Sequence, residues 1–455
     1  MTAYLLRDVE VGGRLVDVRV ESAIVAEVGT GLTDRGAELV EGRGHALIPG
    51  LVDHHVHLLA LAAELRSVNC GPPEILDAGA LRAALAGAEL DDHGWVRGTG
   101  YVETIAGPLH RWAIDELISS PVRIQHRSGA MWMLNSAAAA AVGLNEATLP
   151  GIERDDRGRA TGRVWRADSW LRGKLLGTGP PPLEPVSRAL TAYGITAVAD
   201  ATPDLDESTV SLLTGIPQDV LLLGTPSGPA PCKIVLADSA LPGLDELAGR
   251  IRSTHDAGRP VAVHCVTREA LFLLLAAFTE VGSSPGDRIE HASVVPDEAL
   301  PALRRLGVRV VTQPGFLADR GDDYLRDVDP ADLPGLYRVA SFRTHAIPVA
   351  LSSDAPYGPL NPWEVITAAA TRRTRAGAVV NADEALDPRT ALEAYLSPVD
   401  DPGGPPRRVA PGASADLALL DGPLDDVLAR SGQHSPVRAV FQRGLRVPAG
   451  RAVRR

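Results

Sequence analysis

The chain is short of the residues that would place it in several common classes. It has three cysteines, Cys70, Cys232 and Cys265, with no CxxC spacing. Neither a disulfide framework nor a thiolate zinc site is expected, so any metal must be held by histidine and carboxylate. There is no run of 18 or more apolar residues, and the opening MTAYLLRDVEVGG lacks a basic region followed by an apolar stretch. Export and membrane spanning are therefore not expected, and the reading places the chain in the cytoplasm with no membrane partner. Positive charge is in deficit: the formal net charge is −12 and no lysine or arginine cluster stands out. This argues against a nucleic-acid partner, whose phosphates need clustered cations. Lysine is scarcest of all, since Lys174 and Lys233 are the two lysines among 45 basic residues.

What remains is ordinary globular composition, 45% hydrophobic and 22% charged over 455 residues, more than one hydrophobic core usually serves. Residues 1–46 read as short alternating strands with glycine turns (YLLRDVEV, GRLVDVRVE, AIVAEVG), and the C-terminal stretch repeats that texture (ADLALLDG, PVRAVFQRGLRV). The two ends, 1–46 and 405–455, are expected to form one small β-sandwich domain. Between them, over 47–404, β-branched apolar runs alternate with alanine- and leucine-rich stretches, the pattern of parallel βα units.

Eight such runs end in candidate strands: HALIPGLVD leading to His55 and His57, GITAVADA, DVLLLG, CKIVLA, PVAVHC, RIEHAS, RVVTQP and PVALSSD. Eight closes a (β/α)8 TIM barrel, so the expected class is α/β with that barrel at its centre. The stretch between the first and second runs, about 59–185, is too long for one helix and contains its own strand-like GWVRGTGYV and PVRIQHRSG. It reads as an inserted subdomain.

The strongest local signal is His55-Val56-His57 at the end of an apolar strand. Residues i and i+2 of a strand point to one side, so both imidazoles can reach one metal while His54 faces away. A histidine pair in a polar core is the blander alternative. Single candidates close three other strands, His264, His291 and Asp354. Each alone has an ordinary explanation as a hydrogen-bonded or helix-capping residue. Their recurrence at the strand ends, where barrel enzymes of this type keep their active sites, is harder to explain structurally.

Lys233 lies inside the apolar strand Cys-Lys-Ile-Val-Leu-Ala of a chain that otherwise uses arginine. A buried ammonium is costly. Pairing with a carboxylate or reaching the rim would relieve it. Reaction with carbon dioxide is another answer, giving an anionic carbamate whose two oxygens can bridge two cations, which a guanidinium cannot do.

On PGLVDHHVHL, HRSGAMWMLNSAA, LTAYGITAVADAT, CKIVLAD, VAVHC, DRIEHAS, VTQPGFL, LSSDAPYGPLNPW and PGASADLALLD, the chain resembles the amidohydrolase superfamily, in its YtcJ-like branch that includes N-substituted formamide deformylases. The resemblance implies that His55, His57 and Asp354 bind one divalent ion, most simply zinc, that His264 and His291 bind a second, and that carboxylated Lys233 bridges them. It also implies hydrolysis of an amide-type C–N bond, N-formyl, N-acyl or cyclic, by a metal-bridging hydroxide, with Asp354 as general base and then acid. The substrate is a small molecule, and self-association into a homo-oligomer is left open. One departure lies in the insert, where relatives commonly read serine-glycine-histidine and this chain has Ser128-Gly129-Ala130.

Five of the six tryptophans, Trp95, Trp112, Trp132, Trp165 and Trp170, fall in the insert. They read equally as a substrate wall or as that subdomain's own core. His126, Arg127, Trp132, Tyr324 and Tyr357 are the substrate-side candidates. A mononuclear deaminase of the same superfamily is the nearest rival; such relatives typically carry a glutamate three residues after the strand-five histidine, where this chain has Thr267 and, two further on, Glu269. A non-catalytic scaffold is the other rival, disfavoured by the full set of ligand residue types.

Overall fold

Short β-branched runs become parallel strands because both faces of each are covered by apolar neighbours. We number the parallel strands β1 (Leu51–Val56), β2 (Ile195–Asp200), β3 (Asp219–Leu222), β4 (Cys232–Val235), β5 (Val261–Cys265), β6 (Arg288–His291), β7 (Arg309–Thr312) and β8 (Val349–Leu351). The computed structural model describes residues 3–72, 74–91, 93–175, 180–430, 432 and 434–447; positions 448–455, the end of the expected C-terminal segment, lie outside the described residues. The chain divides into one unit of Met1–Leu58 with Leu183–Arg455 and a second of Leu59–Pro182.

In the first unit, the parallel strands form two sheets, ordered β3-β2-β1 and β4-β5-β6-β7-β8. Backbone hydrogen bonds join the sheets at both seams. Lys233 N donates to Leu223 O (2.8 Å) at one, while Asp354 N donates to His55 O and His57 N to Ala355 O, both at 2.9 Å, at the other. Helices cover the outside. Arg268–Val281 starts at Thr267, whose hydroxyl caps Ala270 N, and buries Leu271, Leu274, Leu275 and Phe278. That one-faced apolar spacing packs it against Ile234, Val263, Ile289 and Val310 of the strands.

The run HALIPGLVD is not the single strand its pattern suggests. Leu47–Pro49 pairs antiparallel with Leu417–Leu420, whereas β1 begins at Leu51 and pairs parallel with β2. Gly50 makes the change of sheet possible, because a Cβ there would lie 2.2 Å from Thr196 Oγ1 and 2.8 Å from Thr196 Cβ. Threonine is branched and short, so it cannot swing clear. Gly50→Ala is expected to cost about 1–3 kcal/mol through overpacking, read as a lowered midpoint in chemical denaturation; an unchanged midpoint would refute this account of the crossing.

The chain ends build two four-stranded sheets. One holds Ile24–Gly29, Arg14–Glu21, Ala3–Val11 and Glu38–Glu41; the other holds Leu445–Val447, Val437–Gln442, Leu417–Leu420 and Leu47–Pro49. They share an apolar core that includes Leu6, Val18, Val20, Leu417, Leu419 and Phe441, with Tyr4 edge-on to Phe441 at 5.2 Å between ring centroids.

The second unit contains a six-stranded sheet. Its tryptophans resolve the choice left open above in part. Trp132 is buried in this unit's own core with Trp95 and Trp170 packed against the same cluster, while Trp165 is exposed.

Candidate metal centre

β1 delivers His55, and the residue just past its end is His57. Their alternation with His54 is as the strand period requires: His54 turns the other way, its Nε2 3.0 Å from Ser397 Oγ. His57 Nε2 lies 3.3 Å and His55 Nε2 3.6 Å from Asp354 Oδ1. Donor atoms of these three residues fall within 4.8 Å of one another, and among the described residues no other group of three His, Cys, Asp or Glu side chains converges in this way. The His291 ring centroid is 4.7 Å from that of His55 and 4.5 Å from that of His264. Asp354 Oδ2 is 3.8 Å from His291 Nδ1. Lys233, on β4, is buried, and its charge acts on His55, His264 and His291. The six residues expected to form the site are thus brought together.

Asp354 sits at φ +54 and His291 at φ +70, conformations that cost about 1–3 kcal/mol each in a non-glycine residue and persist only where the surroundings enforce them. At Asp354 the enforcement comes from Asp53. Its carboxylate accepts from Ser353 N at 3.0 Å and Ser353 Oγ at 2.5 Å, and Ser353 Oγ accepts from Ala355 N at 2.9 Å. Burial pushes the Asp53 carboxyl up to about 6, against the lowering effect of the Ser353 bonds. Asp200 accepts from Leu58 N at 2.8 Å and so anchors the residue after His57.

The electrostatics suit a cation. Burial holds the imidazoles of His55 and His291 well below the usual range, and pushes His264 down to about 4, so all three are neutral and able to donate lone pairs. Burial would raise the Asp354 carboxyl, but the close approach of His57, the neighbouring His291 ring and the charge of Lys233 hold it low. Burial brings the Lys233 ammonium down to about 8. Three buried atoms here have no hydrogen-bond partner: His55 Nε2, Asp354 Oδ1 and Lys233 Nζ. Buried polar atoms are nearly always paired. A divalent ion accepting the first two and a carbamate on the third would account for all three.

Two segments, residues 38–209 and 230–444, match the amidohydrolase family. The chain belongs to that family. It is a hydrolase acting on carbon–nitrogen bonds. It is 24% identical to the N-substituted formamide deformylase of Arthrobacter pascens over 89% of each chain. It is likewise 24% identical to the putative amidohydrolase YtcJ of Bacillus subtilis, covering 92% of this chain and 93% of that one. An uncharacterized metal-dependent hydrolase from Pyrococcus horikoshii shares the fold, with a TM-score of 0.73 over 95% of this chain and 100% of that chain at 19% identity. No helix among the described residues is long and apolar enough to cross a membrane.

The substrate-side candidates are divided. Tyr357 and Tyr324 fall in the same unit as the candidate metal ligands: the Tyr357 ring meets His57 edge-on at 5.6 Å, and Tyr324 OH is 3.4 Å from Tyr337 OH. His126, Arg127 and Trp132 fall in the other unit. There His126 Nε2 is 3.0 Å from Glu103 Oε2 and its Nδ1 is 2.7 Å from Ser128 Oγ. Arg127 N donates to Tyr101 O. Trp132 has the guanidinium carbons of Arg97 and Arg123 at 5.2 and 5.5 Å from its ring.

Sequence reasoning missed the residues behind the ligands. Glu290, fully buried, binds His55 Nδ1 and is paired with Arg288; the charge of Arg288 and the bond to His55 hold its carboxyl well below the usual range in spite of burial. Gln313 Oε1 accepts from His291 Nδ1 at 2.9 Å. The signal was present, since Arg288 and Glu290 are charged residues at i and i+2 of a short strand, the same anomaly that marks Lys233.

Proposed function

We propose that this chain is a two-ion hydrolase of amide-type bonds in small molecules, acting on N-formyl, N-acyl or cyclic amides. The observation that carries this reading is the convergence of His55, His57 and Asp354 beside a buried, unpartnered Lys233 Nζ. In it, His55, His57 and Asp354 would hold one divalent ion and His264 and His291 a second, with carboxylated Lys233 as a ligand they would share; zinc would suit this nitrogen and oxygen donor set. The eight parallel strands, hydrogen-bonded across both seams, act as a closed (β/α)8 barrel that begins at Leu51, and the two terminal sheets, which take Leu47–Pro49 as one of their strands, as a small sandwich.

When bound, the ions supply a Lewis acid for the scissile carbonyl and lower the pKa of water. The chain's own groups do the rest. Asp354 Oδ1 is turned toward the two imidazoles and has no hydrogen-bond partner, so it can take a proton from the attacking water and return it to the leaving nitrogen. Neutral His264 and His291 direct lone pairs and no competing protons at the site. Tyr357, packed on His57, forms an apolar wall beside the reacting group.

The deaminase reading loses support from Thr267. Its hydroxyl caps the helix at Ala270 N and lies 3.0 Å from Asp238 Oδ1, and Glu269 is exposed on that helix, so neither serves as the expected proton-transfer glutamate. Two measurements test the proposal together. Metal analysis of the purified, zinc-loaded protein should find two equivalents. A panel of N-formyl, N-acyl, cyclic imide and ester compounds should yield a carboxylate and an amine from an amide member. One equivalent of metal together with ammonia release from cytosine- or adenine-like rings would favour the deaminase instead.

A further inference from the structure

The ligand histidines of the two ion positions are backed unequally. His55 Nδ1 bonds to the Glu290 carboxylate, whose other oxygen accepts from Arg288 Nε; Arg288 Nη2 reaches Glu290 Oε2 at 3.0 Å and His54 O at 2.6 Å. All of these groups are buried. His291 Nδ1 bonds instead to the neutral Gln313 amide. That amide is oriented by its own donors, because Nε2 faces Ser352 Oγ at 2.9 Å and Val311 O at 3.4 Å, and a carbonyl can only accept. Both histidines therefore carry their proton on Nδ1 and present Nε2. Only His55 does so through a hydrogen bond to a full negative charge, since the Asp354 carboxylate oxygen stands 3.8 Å from His291 Nδ1, beyond hydrogen-bond reach.

A carboxylate behind an imidazole fixes its tautomer and raises its basicity as a ligand. A second observation runs in the same direction. Three side chains already converge at the His55, His57 and Asp354 position, whereas the other position has two histidines and depends on a modified Lys233 for its third protein ligand. We propose that Glu290 is a positioning residue for His55, and that it makes the ion held by His55, His57 and Asp354 the one that stays when the other is withdrawn. The inference rests on the two-ion reading above.

The chemistry of this contact makes a sharp test available. Arg288 offers Glu290 only donors, so the residue at 290 must present oxygen to it. Glutamate has an oxygen left for His55; glutamine does not, and its amide NH2 turns toward His55 Nδ1. That nitrogen must then accept, which moves the ring proton to Nε2, the atom that faces the ligand cluster.

Zinc-loaded wild-type protein is dialysed against a graded series of chelator concentrations, and bound metal is counted at each step. The expected result is a plateau at one equivalent for wild type. Glu290→Gln should lose that plateau, with the retained ion weakened by roughly 10- to 100-fold, and Glu290→Asp should recover part of it. Gln313→Met should leave the plateau in place and release the second ion earlier. Melting in excess chelator, where no ion contributes, establishes that each variant is folded. If Glu290→Gln folds poorly, the pair Arg288→Met with Glu290→Leu replaces both buried charges by apolar side chains, a change that folds usually tolerate, and, leaving His55 Nδ1 without an acceptor, it should show the same loss. Wild-type-like retention by Glu290→Gln or by the pair would overturn the proposal, as would simultaneous loss of both ions from wild type. A wild-type protein that never takes up a second ion would overturn the two-ion reading and the inequality built on it, while its single ion, unaltered or weakened in Glu290→Gln, decides the positioning role separately.

Discussion

Lys233→Arg is expected to yield a folded protein that has lost its two-ion site and nearly all turnover. The neutral amine of lysine can attack carbon dioxide, forming an N–C bond and releasing one proton, to leave a carbamate. Its ammonium is brought down to about 8 by burial, so a usable fraction is neutral near pH 7. A guanidinium stays charged, forms no carbamate and repels cations. Loss of an electrostatic element of this kind costs about 10²–10³-fold in turnover, and loss of an ion adds to it. Metal counting and kcat on the same sample check this. Lys233→Ala leaves space beside three histidines, so millimolar formate, acetate or propionate should partly restore activity by standing in for the carbamate. An active Lys233→Arg protein with two ions would make the lysine a structural residue.

Asp354→Asn should be nearly as damaging, for a different reason. The amide keeps the shape and the strained φ of +54, because the bonds that enforce it come from Asp53, Ser353 and His55 and touch the backbone or the neighbouring side chain. It cannot take a proton from water, and it presents an uncharged oxygen to the ion. Turnover is expected to fall by about 10²–10⁴-fold, the range for loss of a positioned general base. Thermal stability in chelator should stay close to that of wild type. The same sample's metal content separates the two roles of this side chain: full occupancy with low turnover marks the proton carrier, and reduced occupancy marks the ligand. Turnover within about tenfold of wild type would remove Asp354 from both roles.

The residues proposed as ligands stood out in the sequence because each broke a local rule. His55 and His57 obey the period of a strand that opens on an apolar run, Lys233 is one of two lysines in the chain, and Asp354 closes an apolar run. Such residues have few structural reasons to occupy these positions. The parallel strands were legible for a similar reason, since strands buried on both faces leave continuous β-branched runs. Glu290 was hidden by the alternation rule itself. It precedes His291 directly, and on a regular strand neighbours point to opposite faces. Both nevertheless reach the same cluster, because His291 takes φ +70 and Ala292 φ +44, which no spacing reveals.

Sequence alone thus determined which residue types are available to hold a metal, on which strands they lie, and that disulfides and cysteine sites play no part, because composition and strand period act within a few residues. Tertiary structure decided what depends on meeting partners far along the chain. Gly50 ends one strand and starts another because Thr196 occupies the space where a Cβ would go. His55 presents Nε2 because Glu290, 235 residues away, accepts the hydrogen bond from its Nδ1–H. Asp354 is held in a costly conformation because Asp53, 300 residues from Ser353, binds that residue's backbone and hydroxyl. Each is a contact between segments far apart in the chain, and chain proximity carries no information about which of them will meet.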